Sequence, residues 1–156
     1  MATMNTYDKT SLYEMSYAFM RRFSFIRVEA PEIPDEKDER KQLMEGYLDA
    51  WKMDLSAEDD EVVNTVRIWK QVNSADVDRE IGPAIAKDIL EFLNEAGINR
   101  QSNTAAITNY IFPQLEGVPE RKQIVESISK ADVELDDERL ERTARNMLQV
   151  DISGEE

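Results

Sequence analysis

Two runs of carboxylates, Glu58-Asp59-Asp60-Glu61 and Asp136-Asp137-Glu138, are the first places in this chain where side-chain types could do chemistry. Neither has the D-x-D-x-D-G spacing of a calcium-binding EF-hand loop. A Walker B strand needs an apolar run ending in acid, and Leu135 alone precedes the second cluster. Both runs instead suit the first turn of a helix, where negative charge is favoured by the helix dipole. A Walker A loop needs glycines whose backbone N–H groups cradle phosphate, followed by Lys and Ser or Thr. Gly46, Gly82, Gly97, Gly117 and Gly154 stand apart from one another, and none leads into that sequence. The chain has no histidine and no cysteine. That removes Ser-His-Asp catalysis, histidine–metal sites, thiol nucleophiles, zinc–thiolate sites and disulfides. These residues taken alone offer no recognised route to binding a nucleoside triphosphate.

The elements that must position any remaining chemistry follow from charge and periodicity. The 156 residues carry 19 basic and 33 acidic side chains, a net charge of −14. A field of that sign repels phosphate backbones and anionic lipid, so direct nucleic-acid binding is not expected. No apolar run approaches the ~18 residues of a membrane span and no basic-then-apolar signal opens the chain, so a cytoplasmic protein is expected. The acid is unevenly spread: residues 1–34 are neutral, whereas residues 35–61 hold four bases and eleven acids. Pro31 and Pro34 mark the change, since prolines favour extended connections over helix.

Before that boundary, Leu12, Met15, Phe19 and Arg22 have helical spacing, and Phe23–Val28 reads as a short strand rich in aromatic and β-branched residues. After it, every segment reads as helix. A first helix spans about Glu36–Asp54, with Leu43, Tyr47, Leu48 and Trp51 on one face. Ser56 and Asp59 resemble a capping box opening a second helix through Val62, Val66 and Trp69. Gly82-Pro83 opens a third, with Ile85, Ile89, Leu90 and Leu93 inward and Gly97 as its stop. Asn103 or Ser102 caps a fourth through Ile107, Tyr110 and Ile111, with Pro113 a kink or an end. Pro119 starts a fifth carrying Ile124, Val125 and Ile128. A sixth runs from about Asp136 to Gln149 with Leu140, Ala144 and Met147 in line. The expected fold class is mainly α, a short N-terminal strand–helix–strand followed by a helical bundle.

The first 34 residues carry a more specific pattern. Thr3-Met4-Asn5-Thr6, Asp8-Lys9-Thr10, Tyr17-Ala18-Phe19-Met20-Arg21-Arg22-Phe23 and the following strand closely resemble the AAA+ module of the McrB-like class. In that family a strand ends in T-M-N-T-x-D-[RK]-[ST], a helix ends in an A-L-R-R-R-F-like motif, and the last core strand follows. The resemblance implies that Asn5 is the sensor 1 asparagine and that Arg21 or Arg22 is the arginine finger. Met20 takes the place of the first arginine of the family's triple. A neutral amide can orient water near a γ-phosphate without adding charge, and a finger arginine stabilises the transferring phosphoryl group of a neighbouring subunit, an effect of ~10³–10⁵ in rate.

The same resemblance makes residues 1–34 the C-terminal remnant of a nucleotide-binding core, 35–113 a helical lid and 114–156 a helical extension. Arg79-Glu80-Ile81-Gly82-Pro83 is similar to the lid segment where sensor 2 lies, which makes Arg79 and Gly82 nucleotide-binding candidates; a surface salt bridge is the other reading of Arg79. The implied cofactor is ATP, or GTP, with Mg2+ and only in the complete module. The implied partners are neighbouring AAA+ subunits in a hexameric ring and a nuclease. On this reading the chain is the back end of a longer module, truncated or split, and is inactive without Walker A and Walker B. In the AAA+ sheet, order 5-1-4-3-2, its two strands are not neighbours, so residues 1–30 are expected to be poorly ordered or aggregation-prone alone while the lid folds by itself. The alternative is a non-enzymatic helical interaction protein derived from a truncated AAA+ gene.

Overall fold

The computed structural model describes Arg22 and residues 30–75 and 80–152, and these residues are mainly helical, with no strand among them. The strand–helix–strand expected over residues 1–34 lies outside them, apart from Arg22 in a turn and an irregular stretch over 30–34.

Helix α1 (Lys37–Trp51) follows the prolines and buries Met44 and Leu48, one turn apart. It stops three residues before the expected Asp54. Lys52 turns into the left-handed region (φ 58°), where its N–H reaches the Asp49 carbonyl and the Met53 N–H reaches that of Leu48. A left-handed residue just past the last helical turn closes off the free carbonyls, a role usually given to glycine.

Helix α2 (Asp60–Asn73) is the central element, burying Val62, Asn64, Thr65, Val66, Ile68, Trp69 and Val72. Ser56 does not cap it directly, which corrects the sequence expectation. The Asp59 carboxylate accepts the Ser56 N–H at 2.8 Å and the Ser56 hydroxyl accepts the Glu58 N–H at 3.2 Å. The pair therefore closes a separate turn, and Asp59 takes the cap position of the helix. Helix α3 (Pro83–Ala96) has Gly82 before it and proline in its first turn, and it ends at Gly97 (φ 73°) as expected. Ile89, Leu90 and Leu93 are buried, and Ile85 is half-buried against them.

Helix α4 (Arg100–Ala106) is capped by Asn99, not by Ser102 or Asn103. The Asn99 carboxamide accepts the Ser102 N–H and the Ser102 hydroxyl accepts the Asn99 N–H, a reciprocal capping box. The helical path continues as a wide turn over Ile107–Ile111 and a tight one over Phe112–Leu115. Pro113 accounts for the change. Its ring cannot sit against the carbonyl four residues back, and the wide turn, closed by the Phe112 N–H on the Ile107 carbonyl, makes room for it.

Helix α5 (Arg121–Ile128) begins two residues after Pro119, because Val118–Glu120 form a turn first. Helix α6 (Asp137–Thr143), capped by Asp136 on the Arg139 N–H, widens over Ala144–Leu148 and stops at left-handed Gln149.

One hydrophobic core runs from Met44 to Val150, with residues on both sides of position 113 in it. Helix α2 packs on α3 and α5, α3 packs on α4, and the Phe112–Leu115 turn packs on Ala144–Leu148. Trp69 sits fully buried, and its indole N–H donates to the Ile81 carbonyl at 2.6 Å. Asn73 pairs with both backbone groups of Ile81, at 2.8 and 3.1 Å, fixing the entry to α3. Ser127 ties α5 to the Gln71 carbonyl of α2 at 2.9 Å, and Arg121 ties α5 to the Leu148 carbonyl at 2.7 Å. Among the described residues no helix is long and apolar enough to cross a membrane.

Candidate functional site

Helix α2 has a second, polar side. Asn64 and Arg67, one turn apart, line a cleft of about 390 Å3 together with Ile98 and Asn99 before α4, Asn103 within it, and residues 131–134 of the α5–α6 connection. The first turn of α4 is placed by its capping box, which sets Asn103 facing α2.

Asn103 is 1% exposed and works as a hub. Its amide nitrogen donates to the Glu134 carbonyl at 2.9 Å, and its amide oxygen accepts from Asn64 at 3.5 Å. Next to it the Thr104 hydroxyl donates to the Arg100 carbonyl and accepts the Asp136 N–H, both at 2.8–2.9 Å. Two buried polar residues on α4 thus hold the 134–136 segment, and through Asp136 the start of α6. At the rim, Arg67 lies 3.1 Å from the Asp132 carboxylate, and Arg100 lies 3.6 Å from that of Glu134.

Other ion pairs lie on the surface and link α1 and its approach to α2. Lys41 bonds Glu58 at 2.9 Å, and Lys70 bonds Asp35. The hydrogen bond from Lys41, with its charge, holds Glu58 below the ordinary carboxylate value and raises Lys41 itself. Lys70 does the same to Asp35. Such exposed pairs add little to stability.

Of the site residues expected from sequence, Asn5, Arg21 and Arg79 fall outside the described residues, and Arg22 is exposed in its turn. Gly82 occupies the cap position of α3 with extended backbone (φ −79°, ψ 171°) and open space where a Cβ would stand. Any residue could adopt that conformation, so the backbone does not demand glycine there. The structure does not bring Arg22 or Gly82 into the cleft. The cleft residues were missed by sequence reasoning, although one signal was available: Asn64 and Thr65 interrupt the apolar stripe of α2.

The cleft does not suit a polyphosphate, because Arg67 is engaged by Asp132 and two carboxylates stand at its rim. Among the described residues no group of three or more His, Cys, Asp and Glu side chains is placed to hold a metal ion. Compared with protein-family models, with curated proteins and with solved structures, the chain matches none of them. Its functional reading therefore rests on its own residues.

Proposed function

We infer that this chain supplies the sensor 1, arginine-finger and lid part of a McrB-like AAA+ motor, completed by Walker A and Walker B elements outside these 156 residues. The observation that carries the reading is the ordered set Asn5, Asp8-Lys9-Thr10 and Arg21-Arg22 at family spacing, followed by an aromatic run and then a helical body. Residues 35–113, the lid of this reading, share one core with residues 114–156.

In this account Asn5 orients a water for attack on the γ-phosphorus of bound ATP or GTP. The bond to the bridging oxygen breaks, leaving the nucleoside diphosphate and inorganic phosphate. Arg21 or Arg22 reaches the nucleotide of a neighbouring subunit and neutralises charge that develops on the transferring group. Arg79 and the Gly82 end of α3 meet the nucleotide from the lid side. Mg2+ would arrive with the nucleotide and the Walker elements and would supply further charge neutralisation at the phosphates. The ring is a cytoplasmic hexamer that drives a nuclease partner, in restriction or defence.

The test is nucleotide hydrolysis by the full chain, alone and mixed with a polypeptide carrying Walker A and Walker B. Turnover appearing only in the mixture supports the reading. An assembled mixture without turnover assigns the chain to the non-enzymatic interaction role instead.

A further inference from the structure

We propose that α1, with residues 33–36 that lead into it, is a releasable strap: it undocks and unwinds as one unit while α2–α6 stay folded, and its release uncovers the edge of Trp69. This inference does not depend on the nucleotide reading. It rests on how α1 is held, how it is built and where it is hinged.

The attachment is slight. Helix α1 buries two of its 15 side chains, Met44 and Leu48, whereas α2 buries seven of its 14. Ile33, Tyr47 and Trp51 are half-buried against the core. The Tyr47 ring stacks on Trp51 and meets Trp69 edge-on, with centroids 5.8 Å apart. Among the described residues, two ion pairs join the side chains of α1 and its lead-in to the rest: Lys41 with Glu58, and Asp35 with Lys70. Their carboxylates are 64% and 91% exposed, so neither pair adds much. Arg40 does not reach across. It donates to the Pro34 and Asp35 carbonyls at 3.2 and 3.1 Å, which fastens the lead-in to α1 itself and makes the two one piece. Residues 35–61 hold four bases and eleven acids, so like charge on the strap and beyond its hinge opposes docking.

The helix is also built to unwind once released. Gly46 lies in its interior with nothing outside the helix within 4 Å of the place a Cβ would take. Its backbone is helical, so neither packing nor conformation requires glycine there. An interior glycine favours the unwound segment over the helix, relative to alanine. Glu36, at the cap position, makes no side-chain cap bond. A helix of this length is marginal in water without its docking face. The hinge follows directly: Lys52 holds left-handed backbone at φ 58°. Beyond it, the turn closed by Ser56 and Asp59 leads straight into α2 and anchors the far side.

The experiment is native-state hydrogen exchange of the 15N-labelled full chain, read amide by amide, in the parent and in two variants. The backbone amides of Met44–Leu48 should share one protection factor, about 30-fold or more below those of Val66–Trp69 and Leu90–Leu93. Ile128 is fully buried on α5, in the part that stays folded. Ile128→Val should therefore lower protection in α2 and α3 by roughly threefold to tenfold and leave the α1 value unchanged. Gly46→Ala should raise the shared α1 value by roughly twofold to fivefold, because the released strap unwinds. Protection at Met44–Leu48 equal to that in α2, or an Ile128→Val loss that reaches α1, would overturn the proposal and make α1 part of one cooperative unit. Protection that falls only from the ends of α1 inward, or no gain from Gly46→Ala, would overturn it as well, since the strap would then not open as an unwinding whole.

Discussion

The two sides of α2 are made of opposite materials. On one side Val62, Val66, Trp69 and Val72 join α3 and α5 in a fully apolar core, closed by hydrogen bonds to backbone groups at Ile81 and Gln71. On the other, Asn64 and Arg67 face α4 and the 131–134 segment through amides and ion pairs, with open space left between. The apolar side gains from excluding water, in proportion to buried area. The polar side can gain little net free energy from its hydrogen bonds, because each replaces one made to water. The contrast teaches that α2 is held on one face by burial of apolar side chains and on the other by amide contacts and ion pairs.

Substitutions can break this comparison. The largest effect belongs to the core: Phe112→Ala should cost about 3–5 kcal/mol in denaturant unfolding, since the ring is fully buried between the two halves of the bundle. On the polar side, Asn103→Ala should cost about 1–3 kcal/mol, because it leaves the Glu134 carbonyl without its donor. Asn64→Ala should cost less than about 1 kcal/mol, since its one hydrogen bond among the described residues is long, at 3.5 Å. Equal costs for the two asparagines would mean that the cleft is a structural seam like the core. Away from both sides, Lys52→Gly should stabilise by about 1 kcal/mol, by relieving a left-handed side-chain residue.

The smallest effect is electrostatic. Glu58 and Asp35 sit below their ordinary values of 4.5 and 3.8 in the folded chain. Their contribution is present above those values and is lost as pH falls through the lower folded ones. Lys41, raised above 10.5, contributes below that value and loses its effect as pH rises through the folded one. Thermal melts between pH 6 and pH 3 should therefore show a slightly steeper acid loss in the parent chain than in Lys41→Met.

The apolar face of the bundle was legible in the sequence because periodicity reports it directly. Val62, Val66 and Trp69, or Ile89, Leu90 and Leu93, fall at helical spacing and are buried as expected. Helix ends were less legible. Asn99 capping α4 was overlooked because Ser102 and Asn103 are equally good cap types, and only the reciprocal bond separates them. Lys52 could not be foreseen as a left-handed stop, since its residue type has no preference for that role. The cleft was invisible for a different reason. The partner of Asn103 is a backbone carbonyl 31 residues away, and no local pattern encodes a contact of that range. The chemistry expected at Asn5 and Arg21 rests on motif order alone.

The measurement that tests the central claim most directly is steady-state nucleotide turnover by the complementing mixture, comparing the parent chain with the Arg21→Ala, Arg22→Ala double variant under conditions where both assemble. The account predicts a fall of ~10³-fold or more in turnover without loss of assembly. Unchanged turnover in the double variant would contradict it, and would show that neither arginine acts on a neighbouring nucleotide.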